Sequence, residues 1–353
     1  MRRALLLLTV LAVSACGTAE LDDDEPAASE DALASFEVRD HEAIVPAEHR
    51  VTTARIDPLL GPAIESGRKI AFIRRLTFQG KRARVAIDDE SLVSALVPEE
   101  AIAGATRGAT AADAIASTPY VKSLAESDAS DRALTTIDAD APTGGATEPF
   151  ALTIDMCQSR RAWDKRLYEW AVDLATRLGK PTPIGVAMTG GWAKAHPTEL
   201  EQILTWERAG KLAITWINHS STHPLHCADA SCGRAAFLTH ASVDFDEEVF
   251  GLERTLLARG VVPSPIFRFP GLIHDRERLD LLARLSLLPL DADAWIAKGQ
   301  PIKPRAVVLV HGNGNEPPGI TGFLQQVEAR EAALASGKSA LVSPLFVAPA
   351  PPR

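Results

Sequence analysis

The hydrophobic pattern changes character near residue 150. Beyond it, short apolar runs alternate with amphipathic stretches, the signature of parallel βα units. The runs predict strands over residues 150–155, 184–188, 212–217, 265–269, 285–291 and 306–311. Trp163, Leu167, Trp170, Ala171, Leu174 and Leu178 recur at helical spacing and make one apolar stripe; Phe245, Val249, Leu252 and Leu256 make another. Residues 276–286 and 321–336 also read as helices. The aromatic side chains of these stripes are read as core. Before residue 150 the pattern is weaker. Residues 69–89 read as two strand-like stretches split by Gly80, a hairpin. Residues 101–116 are weakly helical, and residues 138–149 read as a linker.

The N-terminus has a different logic. Arg2 and Arg3 precede a stretch, residues 4–13, that is apolar apart from Thr9; Ser14, Ala15 and Cys16 follow. This is the layout of an export signal. Its V-S-A-C ending resembles a bacterial lipobox, which implies that Cys16 becomes the lipidated first residue; an ordinary signal peptide with an incidental Cys is the alternative. Residues 20–42 hold ten acids and one base, Arg39, and read as a solvated spacer. The expected map is a signal peptide over 1–15, a lipidated Cys and acidic disordered tether over 16–48, and an extension over 49–147. That extension is either a small α+β unit or partly ordered. A catalytic domain over 148–346 and a disordered tail over 347–353 complete the map. The protein is expected to be exported and lipid-anchored in the bacterial cell envelope, at the periplasm or cell surface, touching the membrane through the anchor only.

Composition narrows the classes. The 353 residues are 46% hydrophobic and 24% charged, ordinary for a soluble domain with a large core. A net charge of −9 argues against nucleic-acid binding, which needs a basic face. Four Cys are too few for a disulfide-built scaffold. No apolar run approaches the roughly 20 residues of a spanning helix.

Polar residues fall at the carboxyl ends of the predicted strands: Asp155, then Asn218 with His219 and His223, then Arg268, Asp291 and His311. In parallel α/β barrels that end carries the active site, because the loops there converge over one cavity. His219 and His223 are four residues apart, which puts both imidazoles on one face of a turn or tight loop and suits a divalent metal. A bound ion could polarise a carbonyl and acidify water. Asp155 could take the proton from that water and His311 could protonate the leaving group. Arg268 and Asp291, if paired, could orient or tune Asp155. The plainer readings are that Asp155 caps the next helix and that Arg268 and Asp291 form an ordinary ion pair. No G-x-S-x-G, P-loop, G-x-G-x-x-G or H-E-x-x-H is present.

Together these residues resemble the polysaccharide deacetylases, the NodB-like carbohydrate esterases. The resemblance spans residues 150–345, and all five family motifs occur in order. Thr153-Ile154-Asp155-Met156-Cys157 is similar to T-F-D-D-G. His219-Ser220-Ser221-Thr222-His223 matches H-[ST]-x-x-H. Arg268-Phe269-Pro270-Gly271 resembles R-x-P-Y-G, Asp291-Ala292-Asp293-Ala294-Trp295 resembles D-x-x-D-W, and Leu309-Val310-His311 matches L-x-H. The resemblance implies a distorted (β/α) barrel of the α/β class and metal-dependent removal of acetyl groups from a glycan, an N-acetylglucosamine polymer or peptidoglycan. It implies Asp155 as base, His219 and His223 as ligands, Arg268 steadying the base, Asp291 supporting Arg268, and His311 as acid. It further implies that Trp295 and Leu309 line the acetyl pocket and that the Gly271 N–H helps bind the oxyanion. The metal it implies is Zn²⁺, with Co²⁺ or Ni²⁺ as alternatives.

Three departures matter. Met156 stands where the family has a second Asp, a metal ligand, and a thioether is a poor ligand for such an ion. Metal bound by the two His and water, Asp155 turned ligand, and a site without metal all stay open. Ala294 precedes the fourth-motif Trp where the family has Asp, and Gly271 replaces Tyr. The alternative to an enzyme is a non-catalytic glycan-binding lipoprotein with a degenerate metal site; a hydrolase of a non-sugar amide or ester is a third reading. Cys227 and Cys232 follow the His pair closely, and on an exported chain they are expected to form a disulfide, with a second metal site as the alternative. Cys157 is then a free thiol beside Asp155, unless it pairs with one of those two.

Overall fold

The structure, a computed structural model, describes residues 35–106, 115–130, 133–225 and 237–349. Cys16, Cys227 and Cys232, with the expected lipidation and disulfide, lie outside the described residues. Among the described residues no helix is long and apolar enough to cross a membrane.

The first layer is an antiparallel sheet of β1 (Val38–Thr52), β2 (Lys69–Phe78), β3 (Lys81–Asp88), β4 (Ser94–Pro98) and β5 (Ala105–Thr106), in the order β4-β3-β2-β1-β5. α1 (Pro119–Ser130) and β6 (Leu134–Ile137) lead into the second layer. There β7 (Glu148–Met156) is followed by α2 (Arg166–Leu178) and β8 (Thr182–Met188), then α3 (Gly190–Ala195), α4 (Pro197–Arg208) and β9 (Leu212–Asn218). Next come α5 (Phe245–Ala258), β10 (Ile266–Phe267), α6 (Arg276–Arg284), β11 (Leu288–Pro289), β12 (Ala294–Trp295) and β13 (Val307–His311). α7 (Pro317–Glu328), α8 (Glu331–Ala335), β14 (Ser339–Leu341) and β15 (Val347–Pro349) close the chain. The second sheet runs β11-β10-β9-β8-β7-β13-β12, with β14 beside the start of β7, and every pairing in it is parallel. The expected α/β class is therefore what the chain adopts, with the parallel sheet that the distorted (β/α) barrel requires.

Local chemistry explains the elements. The stripe expected at residues 163–178 becomes α2, which buries Leu167, Tyr168, Ala171, Leu174 and Ala175 and stops at Gly179, whose left-handed backbone lets its N–H reach Ala175 O. Asp244 and Asp275 cap α5 and α6 by accepting from Glu247 N and Arg278 N. The hairpin over residues 69–89 forms, turning at Gln79 and Gly80.

Several boundaries differ from expectation. The acidic tether does not reach residue 48: β1 starts at Val38, because its charges find cross-strand partners, Glu42 on Arg75 and Asp40 on Thr77. The extension is an antiparallel sheet with one helix. Residues 347–349, expected in a disordered tail, form β15 and pair antiparallel with β6. The linker ends where β7 begins at Glu148. β10 and β11 are two residues each; Pro265 and Pro289 lack the N–H that a longer ladder needs. The helix expected over 321–336 is two helices, α7 and α8.

The two layers are joined by a buried charge. Ile70 and Phe72 face a small core with Val97 and Ile102 on the far side of the first sheet. A register shift between Phe72 and Arg74 reverses the alternation, so that Leu76 and Phe78 join Ala71 and Ile73 in the larger core shared with Val249 and Leu257 of α5. Arg74 follows the bulge and forks onto Glu253 of α5, Nε to Oε2 at 2.8 Å and Nη2 to Oε1 at 2.9 Å, while Nη1 donates to Leu285 O at 2.7 Å. Both side chains are buried. Burial alone would raise the Glu253 carboxyl, but Arg74 and His41 overturn that and hold it down at about 2.

A cavity of about 760 Å³ also lies at this junction, lined by Leu60, Pro62, Leu204, Trp216, Val261 and Leu345 among others. Glu207 borders it and accepts from Trp216 Nε1 at 3.1 and 3.2 Å. Burial pushes its carboxyl up to about 7 from an ordinary 4.5. The folded state thus holds a proton that the unfolded state releases. The contribution of Glu207 to stability is full below about pH 4.5, falls as pH rises, and levels off above about 7. The shift sets an upper bound of about 3 kcal/mol, reduced by residual solvent contact. Glu207→Gln should flatten this decline in urea unfolding measured across that window.

Candidate functional site

Period-2 alternation along β7 sorts the first motif. Phe150, Leu152, Ile154 and Met156 join the apolar cluster that also holds Tyr168, Met188 and Trp192, while Thr153 and Asp155 face the other way. Met156 is therefore a core residue. Cys157, one position past the strand, comes back to the side of Asp155 and is buried.

Asp155 does not cap a helix. Its Oδ1 accepts from Arg268 Nη1 at 2.7 Å, and its Oδ2 lies 3.8 Å from His219 Nε2. Arg268 Nη1 also donates to Thr153 Oγ1 at 2.7 Å, and that hydroxyl donates to Val308 O at 2.7 Å. The guanidinium is fully buried, and its remaining bonds go to main-chain carbonyls, Nη2 to Asp291 O at 3.1 Å and Nε to Leu290 O at 3.4 Å. The expected Arg268–Asp291 carboxylate pair is thus replaced by a carbonyl contact. The Asp291 carboxylate turns to His274, Oδ2 to Nε2 at 3.6 Å, because the carbonyl already fills the arginine fork.

The His pair sits on a loop and not on a helical turn. Ser220 and His223 both take left-handed backbone angles, φ 71° and 48°. The loop is tied down by side chains: Ser220 N donates to Asn218 Oδ1 at 2.9 Å, His223 N to Ser220 Oγ at 3.0 Å, and Thr222 N to Glu248 Oε2 at 2.9 Å. Close approach of α5 needs a glycine, since a Cβ on Gly251 would stand 2.6 Å from Ser221 Oγ. His219 Nδ1 contacts Arg268 O at 2.8 Å. A carbonyl only accepts, so Nδ1 carries a proton and Nε2 is the nitrogen turned toward Asp155 and Cys157. The Cys157 Sγ lies 3.6 Å from that nitrogen. The His219 and His223 rings meet edge to face at 5.0 Å. One ligand atom each from Cys157, His219 and His223 falls within 4.8 Å of the others. These donors fit a small, borderline-soft divalent ion.

His311 stands directly opposite Asp155 in the β13–β7 register, and Leu309 opposite Thr153, both buried. The His311 Nδ1 lies 2.6 Å from Glu316 Oε2, which also accepts from Trp295 Nε1 at 3.1 Å. Trp295, opposite Leu309 on β12, lies 5.7 Å from the His311 ring, with Lys298 Nζ 3.4 Å from its own ring centre. Gly271 lies in the turn after Arg268 at φ 63°, where an added Cβ would strike the Phe237 ring at 2.5 Å; that ring packs edge-on to His223.

Sequence reasoning missed Glu316. The one signal was its position five residues after His311 and just before Pro317. It stands at the α7 N-cap without capping, because its carboxylate serves His311 and Trp295.

No family model matches the chain. Among solved structures, the chain is similar to a family 4 carbohydrate esterase from Bacillus anthracis at 16% identity, over 65% of this chain and 91% of that one, with a TM-score of 0.42. It is similar to a family 4 carbohydrate esterase from Bacillus subtilis at 15% identity, over 63% and 86%, with a TM-score of 0.42. It is also similar to the chitin deacetylase of Colletotrichum lindemuthianum at 16% identity, over 56% and 86%, with a TM-score of 0.39.

Proposed function

We propose that the chain is a metal-dependent hydrolase that removes acetyl groups from an acetylated glycan, an N-acetylglucosamine polymer or peptidoglycan. One observation carries the reading: a buried carboxylate, Asp155, fixed through one oxygen by Arg268, turns its other oxygen toward His219 Nε2, whose own orientation is fixed by Arg268 O. His219 and His223 would hold the ion, which when bound supplies Lewis-acid polarisation of a carbonyl and acidification of water.

The chain's own groups do the rest. Asp155 Oδ2 takes the proton of the attacking water; Arg268 keeps Oδ1 occupied so that the carboxylate cannot rotate away. His311 Nε2 passes a proton to the leaving amine or alcohol, and Glu316 holds Nδ1 so that Nε2 faces the reaction. Trp295 and Leu309 line the place of the acetyl methyl, and the Gly271 N–H binds the developing oxyanion. On an exported, lipid-anchored chain the substrate is envelope glycan.

The alternative, a non-catalytic glycan-binding lipoprotein, drew its support from Met156. In the core of β7 that residue says nothing about the metal. Burying Asp155 with Arg268 carries a desolvation cost that a dead site has no reason to keep.

Incubation with acetylated chitooligosaccharides, peptidoglycan and acetylated xylan tests the proposal. Acetate release from at least one, abolished by chelator, is expected. Oligosaccharide binding without release would establish the binding protein, and release from non-sugar acetyl compounds alone would establish the third reading. Glu316→Gln should lower kcat by about 10- to 100-fold with KM and melting temperature unchanged, since it loosens the acid without touching substrate. A shift in KM alone would contradict that role.

A further inference from the structure

We propose that Cys157 is the third protein ligand of this metal, so that the centre is one thiolate and two imidazoles. The inference rests on the metal-dependent reading above and deepens it. The motif comparison leaves the third position to Met156, whose side chain lies on the wrong face of β7. Cys157 lies on the right one. Its Sγ and one ring nitrogen of each His are mutually within 4.8 Å, all three residues are buried, and Sγ is 3.6 Å from His219 Nε2. The backbone at this position is held as well, since Asn313 Nδ2 donates to Cys157 O at 2.8 Å.

Asp155 is the rival ligand, and its geometry assigns it elsewhere. One of its oxygens is neutralised by Arg268 at 2.7 Å, which weakens the carboxylate as a donor to a cation. With Cys157 as ligand the site keeps a single ligand negative charge and Asp155 remains the base. Binding releases the thiol proton to solvent, leaving sulfur as thiolate on the ion. A thiolate moves preference toward Zn²⁺ and Co²⁺ and away from Mg²⁺ and Mn²⁺.

Co²⁺ titration of the full chain reads this directly. Cys157 is one of four cysteines, so the background is Cys16→Ser/Cys227→Ser/Cys232→Ser, with Cys157 as sole thiol. That protein should bind one Co²⁺ and develop an intense near-ultraviolet thiolate-to-cobalt absorption. Adding Cys157→Ser should abolish the band and weaken Co²⁺ binding by about 10- to 100-fold. Cys157→Asp should abolish the band and keep the affinity, which shows that the fold survives the change. One Co²⁺ bound by the sole-thiol protein without the band overturns the Cys157 assignment and leaves the metal reading standing. No Co²⁺ bound, by either the natural sequence or the sole-thiol protein, overturns both.

Discussion

Asp155→Asn is expected to lower acetate release by about 10²–10⁴-fold, the range that a positioned general base contributes. The substitution is nearly isosteric. An amide oxygen still accepts from Arg268 Nη1, which now sits 2.7 Å from Oδ1, so the fork onto Thr153 and the main-chain carbonyls is retained. What is lost is the proton acceptor facing His219 and the negative charge opposite a fully buried guanidinium. The variant should therefore melt lower than the natural protein, yet be folded at 25 °C, and should still bind Co²⁺ if Cys157 and the two His hold it. Thermal melting, Co²⁺ binding and acetate release on the same preparation separate these effects. Loss of Co²⁺ binding with activity would make Asp155 a ligand and not the base.

Arg74→Ala is expected to cost about 3–5 kcal/mol of stability, the usual range for removing one partner of a buried ion pair. It would leave Glu253, whose carboxyl is held at about 2 by the charges beside it, with His41 in place of its arginine fork in a core where burial alone pushes the other way. It would also leave Leu285 O without its donor. Glu253→Ala should cost a similar amount by stranding Arg74. Arg74→Met with Glu253→Met should cost far less than the two single losses combined, because the charges leave together. Urea unfolding of the three variants measures this. Near-additive costs would show that the clamp between the two layers is not energetically coupled.

How much of this was legible in the sequence depended on which faces each strand buries. β7, β8, β9 and β13 are buried almost throughout, so they read as plain apolar runs, and the polar residues at the ends of β7, β9 and β13 stood out. β1 is only partly buried and carries charges that pair across the sheet, Glu48 with Arg84 and Glu42 with Arg75. A charge run of that kind has the composition of a spacer, and nothing along the chain says that its partners lie on β2 and β3. The same limit applied at the site. Asp155, His219 and His311 were visible because each belongs to a local motif. The Asp291 carbonyl, Glu316 and the inward turn of Cys157 were not, since each depends on backbone direction or on a loop returning to a strand. Met156 occupies the family's ligand position by residue count, but strand alternation points its side chain into the core.

In the proposed function, hydrolysis needs a metal held by this buried cluster. The most direct test is metal reconstitution. The purified chain is stripped with chelator, assayed for acetate release, and titrated with Zn²⁺ beside His219→Ala. Release is expected to vanish on stripping, to return in proportion to Zn²⁺ up to one ion per chain, and not to return in the variant. Acetate release that persists after complete stripping would contradict it.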